Sequence, residues 1–239
     1  MRVLVIIPAY NEEKSIGQVV SKLQDECPQA DYLIVNDCST DQTAEICKRE
    51  CFSYISLPVN LGIGGGVQSG YLYAAENGYD IAVQMDGDGQ HDPRYLKNII
   101  EPVASGEADM VIGSRFITNE GFQTSGMRRL GITILKWTIK IFSGITATDA
   151  TSGFRACSKE LTRFFAENYA QDYPEPEAIV AAVLNGFTIK EIPVVMNERT
   201  QGVSSINWLK SIYYMIKVNL SIVICRLTYR RKRKEVKRG

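Results

Sequence analysis

Short apolar runs alternate with amphipathic segments along the first half of the chain. Residues 3–7 are continuously apolar, and residues 16–23 carry apolar side chains three or four positions apart, as in a helix that buries one face. Further apolar runs lie at 32–35, 54–57, 81–85 and 110–112. Continuous apolar strands that alternate with helices predict an α/β fold, with a mostly parallel sheet flanked by helices.

Polar segments follow these runs at the point where each predicted strand ends. In an open parallel sheet, ligands bind beyond the carboxyl ends of the strands, so we expect the polar segments to line one crevice. The segments are Pro8-Ala-Tyr-Asn-Glu12, Asn36-Asp-Cys-Ser-Thr-Asp41, Asn60-Leu-Gly-Ile-Gly-Gly-Gly66, Asp86-Gly-Asp-Gly-Gln-His91 and Gly113-Ser-Arg115.

Two of these segments suggest phosphate chemistry. Asp86 and Asp88 flank a glycine after a strand, and two such carboxylates can bind a hard cation together with diphosphate oxygens. An ordinary surface turn is the alternative for this pair. The glycines of 60–66 resemble a phosphate-binding loop, but they lack the Lys-Ser/Thr ending of a P-loop. A strand-to-helix turn in which glycine permits close backbone approach is the alternative there.

The ordered motif series resembles family 2 glycosyltransferases with the GT-A fold, over about residues 3–205. Three later segments are similar to the polyprenyl-phosphate sugar synthase branch, which includes dolichol-phosphate mannose synthases. They are Asp149-Ala-Thr-Ser-Gly-Phe-Arg155, Glu191-Ile-Pro-Val194 and Arg199-Thr-Gln-Gly-Val-Ser-Ser205. The resemblance implies a Rossmann-like GT-A catalytic domain over 1–205, followed by an amphipathic helix and a basic tail over 206–239.

The same resemblance implies roles for the matching residues. The nucleotide-sugar site would contain Pro8, Ala9, Tyr10, Glu12, Asp37, Asp86 and Gly87. Mg²⁺ or Mn²⁺ would be bound by Asp86, Asp88 and Gln90. The acceptor and diphosphate phosphates would be surrounded by Arg115, Arg129, Arg155, Arg199 and Ser204, since guanidinium groups bind phosphate through two parallel donors. The catalytic residues would be Asp88 and Asp149.

The ending Gly202-Val-Ser-Ser205 departs from the Gly-Glu-Ser-Lys type that is frequent in the branch, which leaves the acceptor open. Any one of the arginines could instead form a structural ion pair. The segment Tyr173-Pro-Glu-Pro-Glu177 matches no chemical motif that we can assign.

The C-terminal region is basic although the whole chain has no net charge. Residues 226–239 hold eight Lys or Arg and one acid, so the remainder of the chain is acidic by seven charges. This asymmetry indicates an anionic partner such as lipid headgroups. Residues 206–225 are amphipathic, and their longest run without a charged residue is too short to span a bilayer. They predict a helix lying in a membrane interface, or a terminal helix docked on the domain or on another subunit.

The chain begins without a basic-then-apolar leader, so we expect its six cysteines to be in a reducing cytoplasm, with the protein peripherally associated with the membrane. No nucleic-acid recognition motif accompanies the basic tail, and no nucleic-acid partner is expected. A homo-oligomer and a small membrane-protein partner both stay open.

Three functions compete. The first is a metal-dependent inverting glycosyltransferase that moves a hexosyl or N-acetylhexosaminyl group from a UDP- or GDP-sugar to undecaprenyl or dolichyl phosphate, for cell-envelope glycan synthesis. The second extends a lipid-linked saccharide, which requires a general base, and Asp149 is the candidate. The third, a non-catalytic nucleotide-sugar-binding protein, is disfavoured because Asp86, Asp88 and Asp149 are all present.

Overall fold

The computed structural model describes residues 1–118, 126–172, 174–197 and 217–228, with no account of the side chains of 126–130 and 132. The predicted apolar runs form five strands of a seven-stranded sheet in the order β3-β2-β1-β4-β6-β5-β7. Neighbouring strands are parallel except at β6, which is antiparallel to β4 and β5. The predicted mostly parallel sheet is confirmed. The strands are β1 Val3–Ala9, β2 Asp31–Asn36, β3 Tyr54–Ser56, β4 Ile81–Gln84, β5 Met110–Ser114, β6 Arg155–Ser158 and β7 Ile189–Pro193.

Helices cover both faces of this sheet. Alternate residues of β1 point to opposite faces, so Leu4 and Ile6 enter one apolar core while Val5 and Ile7 enter the other. The helices are α1 Ile16–Glu26, α2 Thr43–Arg49, α3 Gly62–Glu76, α4 Leu96–Ala104, α5 Gly126–Ser143, α6 Lys159–Glu167, α7 Pro174–Leu184 and α8 over 217–228. A 3-10 turn at Pro93–Tyr95 precedes α4.

The direction of the strand order reverses between β1 and β4. From β1 the chain proceeds outward to β2 and β3, and it then returns to place β4 on the other side of β1. Such a reversal separates the loops that follow the two strands and opens a crevice at their carboxyl ends. The loops beyond Ala9 and Gln84 therefore border the same crevice, as the sequence predicted.

Two of the glycines of 62–66, Gly64 and Gly65, permit close packing, whereas Gly62 has a left-handed backbone conformation with φ of 73°. These residues begin helix α3, and an added Cβ on Gly64 would lie 2.2 Å from the carbonyl oxygen of Gln171. Further along α3, a Cβ on Gly70 would lie 2.2 Å from Cγ2 of Ile6. The alternative offered from the sequence, a turn in which glycine permits close approach, fits these contacts better than a phosphate-binding loop.

Helix α8 is docked on the domain. Its Val218 and Ile222 are buried in the core on the α3 and α6 side of the sheet. Lys217 forms an ion pair with Asp172 at 2.7 Å, and Ser221 hydrogen-bonds the carboxylate of Glu177. Within 217–228 the docked-helix alternative is therefore observed, while the rest of the predicted amphipathic segment and the tail lie outside the described residues. No helix in the described ranges is long and apolar enough to cross a bilayer.

Candidate active site

The crevice is assembled by contacts between the ends of β1, β2 and β4. The backbone N–H of Asp37 donates to the carbonyl of Ala9 at 2.9 Å. Gly87 lies against the end of β1, because a Cβ on it would come within 3.1 Å of the Pro8 carbonyl oxygen. The predicted nucleotide-sugar residues of three separate segments are thus brought together.

The turn after β1 is fixed by the loop after β2. Asn11 adopts a left-handed backbone conformation, with φ of 57°, and its side-chain oxygen accepts the N–H of Thr40 at 2.8 Å. The N–H of Glu12 donates to Thr43 Oγ1, and the Glu12 carboxylate accepts a hydrogen bond from Ser15. This arrangement leaves Tyr10 exposed at the rim, where an aromatic ring can cover a flat ligand.

Asp37 is buried and organises the next loop. Its carboxylate accepts the N–H of Leu61 at 2.7 Å, and its carbonyl accepts a hydrogen bond from the Asn60 side chain at 3.1 Å. A carboxylate has about four lone-pair positions. Asp37 can therefore hold this loop and still accept an N–H of a nucleobase.

The turn after β4 presents two carboxylates to the crevice. The Asp86 side chain is about one-third exposed, whereas Asp88 is buried and accepts the N–H of Gln90 at 3.0 Å. Gly153 approaches so closely that a Cβ there would lie 3.1 Å from an Asp86 carboxylate oxygen. Within the described residues no group of three His, Cys, Asp or Glu side chains is arranged to bind a metal ion. Two carboxylates and the Gln90 amide nevertheless fit Mg²⁺ or Mn²⁺, which take oxygen ligands and commonly complete their shell with substrate phosphates.

His91, which the sequence did not single out as a site residue, supports this turn. Its Nδ1 accepts the backbone N–H of Asp86 at 2.9 Å, and its Nε2 lies 3.7 Å from the Asp86 carboxylate. The ring is buried and stacks on Phe154, with centroids 5.0 Å apart. His91 thus connects the aspartate turn to the segment that precedes β6.

Arg115 and Asp149 form a buried ion pair. Nε and Nη2 of Arg115 donate to the two carboxylate oxygens of Asp149 at 2.6 and 2.7 Å. Burial alone would raise the pKa of Asp149, but the hydrogen bonds and charge of Arg115 outweigh it and hold that pKa below its ordinary value. The Glu191 carboxylate accepts the backbone N–H groups of Thr148 and Asp149, which fixes this segment from the other side.

The expected role of Asp149 as a general base does not fit this geometry. Its side chain has no exposed surface, its oxygens accept three hydrogen bonds from Arg115, and its lowered pKa disfavours proton uptake. The expected phosphate contact of Arg115, by contrast, stays a prediction. Burial alone would lower the pKa of the Arg115 guanidinium, but the Asp149 carboxylate, with a smaller contribution from Asp86, raises it. Within the described residues, Nη1 of Arg115 makes no hydrogen bond.

Arg155 does not lie where the sequence placed it. Its side chain is buried and donates to the backbone carbonyls of Ala150, Ser152 and Glu175. A guanidinium committed to three carbonyls holds the chain together and does not face an acceptor phosphate. The expectation failed because the Ser-Gly-Phe-Arg pattern does not say whether the arginine points into the crevice or beneath it.

Glu175 is a further acid near the site that sequence reasoning left unassigned. It lies in the first turn of helix α7 and is half-buried in the structure. Burial raises the pKa of its carboxyl, the Arg155 charge partly offsets this rise, and the Asp86 charge adds to it. Its Pro-Glu-Pro-Glu context was the available signal, since prolines in the first turn of a helix mark where the helix begins.

Three expected phosphate contacts stay predictions. Arg199 and Ser204 lie outside the described residues, and Arg129 belongs to the part of α5 whose side chains are not described.

Comparisons with known proteins identify the family of this chain. Residues 4–179 match the family model "Glycosyl transferase family 2". The chain is 30% identical to the polyprenol monophosphomannose synthase of Mycolicibacterium smegmatis, over 86% of this chain and 81% of the relative. It is 32% identical to the undecaprenyl-phosphate mannosyltransferase of Micrococcus luteus, over 87% and 88% of the two chains. It is also 32% identical to a UDP-N-acetylglucosamine–dolichyl-phosphate N-acetylglucosaminyltransferase of Methanococcus voltae, over 80% and 84%.

A solved structure supports the GT-A fold. The glucosyl-3-phosphoglycerate synthase of Mycobacterium tuberculosis, in complex with Mn²⁺, UDP-glucose and phosphoglyceric acid, superposes with a TM-score of 0.66. The match covers 95% of this chain and 79% of that chain at 19% identity. The fold, the aspartate turn at the carboxyl ends of the strands and the family match lead to one conclusion: this chain is a glycosyltransferase and belongs to glycosyl transferase family 2.

Proposed function

We propose that this enzyme is metal-dependent and transfers a hexosyl or N-acetylhexosaminyl group from a UDP- or GDP-sugar to a polyprenyl phosphate, with inversion, at the cytoplasmic face of a membrane. The observation that carries the proposal is the Arg115–Asp149 pair. It gives the site a fixed phosphate-binding cation and takes away the candidate base that a hydroxyl acceptor would need. The acceptors named for the three relatives, polyprenol, undecaprenyl and dolichyl phosphates, support the same choice.

The donor end of the site is formed by the loops after β1, β2 and β4. Tyr10 at the rim and the buried Asp37 carboxylate are suited to a base, through ring contact and an accepted N–H. Asp86, Asp88 and Gln90 would bind Mg²⁺ or Mn²⁺, which would neutralise charge on the departing diphosphate. Asp88 is held in place by the turn that closes through Gln90.

The chemistry follows from the acceptor. A phosphate oxygen of the acceptor attacks the anomeric carbon, the bond from that carbon to the diphosphate oxygen breaks, and the nucleoside diphosphate leaves with the electron pair. No proton has to be removed, because a phosphate monoester has its second pKa at about 6 and is largely a dianion at neutral pH. Positioning and charge neutralisation then supply most of the catalysis.

Arg115 is the described residue best suited to the acceptor phosphate, and Asp149 acts as its positioning residue. Two of its nitrogens are bound to Asp149, which fixes the plane of the guanidinium and directs Nη1 away from the pair. Arg129, Arg199 and Ser204 are proposed to complete the phosphate site.

One observation favours a second candidate, a transferase that extends a lipid-linked saccharide. Burial raises the pKa of the Glu175 carboxyl, and this half-buried acid lies within electrostatic reach of Asp86. A carboxylate with a raised pKa is better suited to take a proton from a sugar hydroxyl than Asp149 is.

One assay tests both candidates. Purified protein, Mg²⁺ or Mn²⁺ and a panel of radiolabelled UDP- and GDP-sugars are supplied either with a short-chain polyprenyl phosphate or with a lipid-linked saccharide. Label in a polyprenyl-phosphate product, together with an inverted anomeric configuration by NMR, supports the proposal. Transfer only to the saccharide would replace it with the second candidate.

A further inference from the structure

Two neighbouring helices expose apolar stripes that the domain does not use. On α5 the exposed residues are three and four positions apart, and on α8 they are four and three apart, so each set forms one stripe on its helix. The stripes consist of Ile134, Trp137 and Ile141 on α5 and of Leu220, Ile224 and Leu227 on α8. Trp137 is 61% exposed and Ile141 is 71% exposed, although large apolar side chains usually avoid such positions.

Both helices already bury their other faces. Leu135 and Ile139 of α5 enter the same core as Val218 and Ile222 of α8. The exposed stripes are therefore additional to the apolar surface that folding requires, and their members are not loosely packed core residues. Contiguous exposed apolar surface of this kind marks an interaction site.

The two stripes border one seam. Thr138 of α5 hydrogen-bonds Asn219 of α8, which places the helices side by side. At 100° per residue, Thr138 lies between the buried and exposed stripes of α5, and Asn219 lies between those of α8. The six exposed residues thus form one surface, which we call the two-helix face.

The sequences of the two helices, and of the residues after them, are rich in basic residues, although one of these, Lys217, is paired with Asp172. Residues 126–143 contain four basic residues and no acid, and residues 217–228 contain two basic residues and no acid. Residues 229–239 add seven basic residues and one acid. Nζ of Lys140 lies 5.6 Å from the Trp137 ring centroid, an arrangement in which the cation and the ring can share a polar-apolar boundary.

We propose that the two-helix face docks on an anionic lipid bilayer, with its apolar stripes at the acyl boundary and its basic residues among the headgroups. A second copy of the chain is the rival occupant. Joining two such faces would bring their basic residues against each other, which opposes association. An anionic bilayer can bury the apolar stripes and also attract the basic residues.

The position of the face relative to the site follows from Phe116. Nζ of Lys136 lies 5.5 Å from the Phe116 ring centroid, and the guanidinium carbon of Arg115 lies 5.3 Å from the same ring. Helix α5, which carries half of the face, therefore passes beside the proposed acceptor arginine. If the proposed function holds, docking orients the domain so that phosphates at headgroup level reach Arg115. This orientation rests on the proposed function, but the docking itself does not.

Tryptophan fluorescence tests the docking directly. The chain has two tryptophans, Trp137 and Trp208, so a Trp208→Phe variant reports on Trp137 alone. With vesicles of phosphatidylcholine and phosphatidylglycerol that carry brominated acyl chains, we expect a blue shift and quenching of Trp137. Pure phosphatidylcholine vesicles should give a much smaller effect. Unchanged emission with the anionic vesicles would overturn the proposal.

Substitutions locate the contact. Ile141→Asp and Ile224→Asp should each weaken vesicle binding about tenfold, because each puts a charge where the proposed contact needs an apolar side chain in the bilayer. Leu72→Asp is the matched control, since Leu72 is 46% exposed on α3 and lies outside the face, and it should leave binding unchanged. Equal binding by all three variants would place the contact elsewhere. Circular dichroism and melting temperature check that each variant is folded.

Two further measurements separate the possible failures. In analytical ultracentrifugation without lipid, we expect the two-helix face not to mediate self-association. A dimer that Ile141→Asp and Ile224→Asp abolish would instead assign the face to a second copy of the chain. The vesicles contain no polyprenyl phosphate, so their binding is independent of the proposed reaction. Transfer to a short, water-soluble polyprenyl phosphate should persist in both face variants, and its absence in the parent chain would count against the function alone.

Discussion

The guanidinium of Arg115 and the carboxylate of Asp149 meet in a two-point contact, with N···O distances of 2.6 and 2.7 Å, in a part of the protein from which solvent is largely excluded. Neither residue is close to the other in sequence, and each was assigned a separate task from its motif. The structure combines them into a single unit in which the Asp149 carboxylate is fully buried and bound by the arginine.

Asp149→Asn tests this assignment through the kinetic constants. If Asp149 only positions Arg115, Asp149→Asn should raise the KM for polyprenyl phosphate. The shape of the pH dependence of kcat between about pH 6 and pH 8 should stay unaltered. Arg115→Lys should do the same, because lysine keeps the charge but loses the planar pair of donors. Loss of kcat with an unchanged acceptor KM and a changed pH profile would restore Asp149 as a base.

The same variants have a stability consequence. Leaving one member of a buried ion pair without its partner typically costs roughly 3–5 kcal/mol. Asp149→Asn keeps an oxygen acceptor for Arg115, so it should cost less than Asp149→Ala in urea unfolding. Equal and negligible losses for both variants would show that the pair is not maintained in solution.

Metal dependence is tested at the aspartate turn. Asp88→Asn should lower transfer by at least about 100-fold, because a weakened metal site would leave the departing diphosphate without its counter-charge. Asp41→Asn is the control, since the Asp41 carboxylate bonds Thr43 at the start of α2 and the N–H of Glu13. EDTA should abolish transfer and Mg²⁺ or Mn²⁺ should restore it. Full activity after exhaustive chelation would exclude a required metal.

His91 should influence the metal site without binding metal. His91→Ala removes the acceptor of the Asp86 N–H. The variant should need about tenfold more Mn²⁺, or more, for half-maximal activity, as is typical when residues that support metal ligands are changed. His91→Asn places an oxygen near the position of Nδ1 and should recover part of the loss. A fall in kcat at saturating Mn²⁺, with no change in the metal requirement, would argue against this positioning role.

The sequence was most informative where burial alone decides the structure. Among the five runs that became β1 to β5, residues 3–7, 32–35 and 110–112 are continuously apolar because both faces of the sheet are covered. β6 was missed as a strand because its Arg155 and Ser158 interrupt any apolar pattern. Its arginine is buried only because the carbonyls of Ala150, Ser152 and Glu175 accept its hydrogen bonds, and such compensation is not visible locally.

The site shows the same division. Residues at strand ends, such as Asp37, Asp86 and Asp88, could be placed together because parallel strands bring their carboxyl ends to one edge. The pairing of Arg115 with Asp149 joins residues 34 positions apart and depends on how two loops fold back on each other. No periodicity or spacing records that contact.

The protonation of Glu175 predicts a pH effect on stability. Its pKa is raised in the folded protein, so its contribution is most favourable below the ordinary glutamate value of 4.5 and is lost as the pH rises through the raised pKa. At neutral pH the parent protein must hold an ionised carboxylate in this half-buried position, which costs free energy. Glu175→Gln removes that charge, so the variant should be more stable than the parent at neutral pH. The gain should shrink in acid, below about pH 4. Urea unfolding of both proteins across this range measures the difference, and a gain that is constant with pH would assign it to packing.

Helix α3 packs so closely on β1 that a side chain at Gly70 should destabilise the fold. A Cβ on Gly70 would lie 2.2 Å from Cγ2 of Ile6, so Gly70→Ala should destabilise the protein by about 2 kcal/mol or more, as overpacking of a core does. Gly17→Ala in α1 is the matched helical control, because a Cβ there meets nothing within 4 Å. It should stabilise by about 0.5–1 kcal/mol, since alanine loses less backbone freedom than glycine. In an Ile6→Ala background the crowding atoms are gone, and Gly70→Ala should then cost far less. A penalty for Gly70→Ala that is the same with and without Ile6 would show that the glycine is needed for a reason other than this contact.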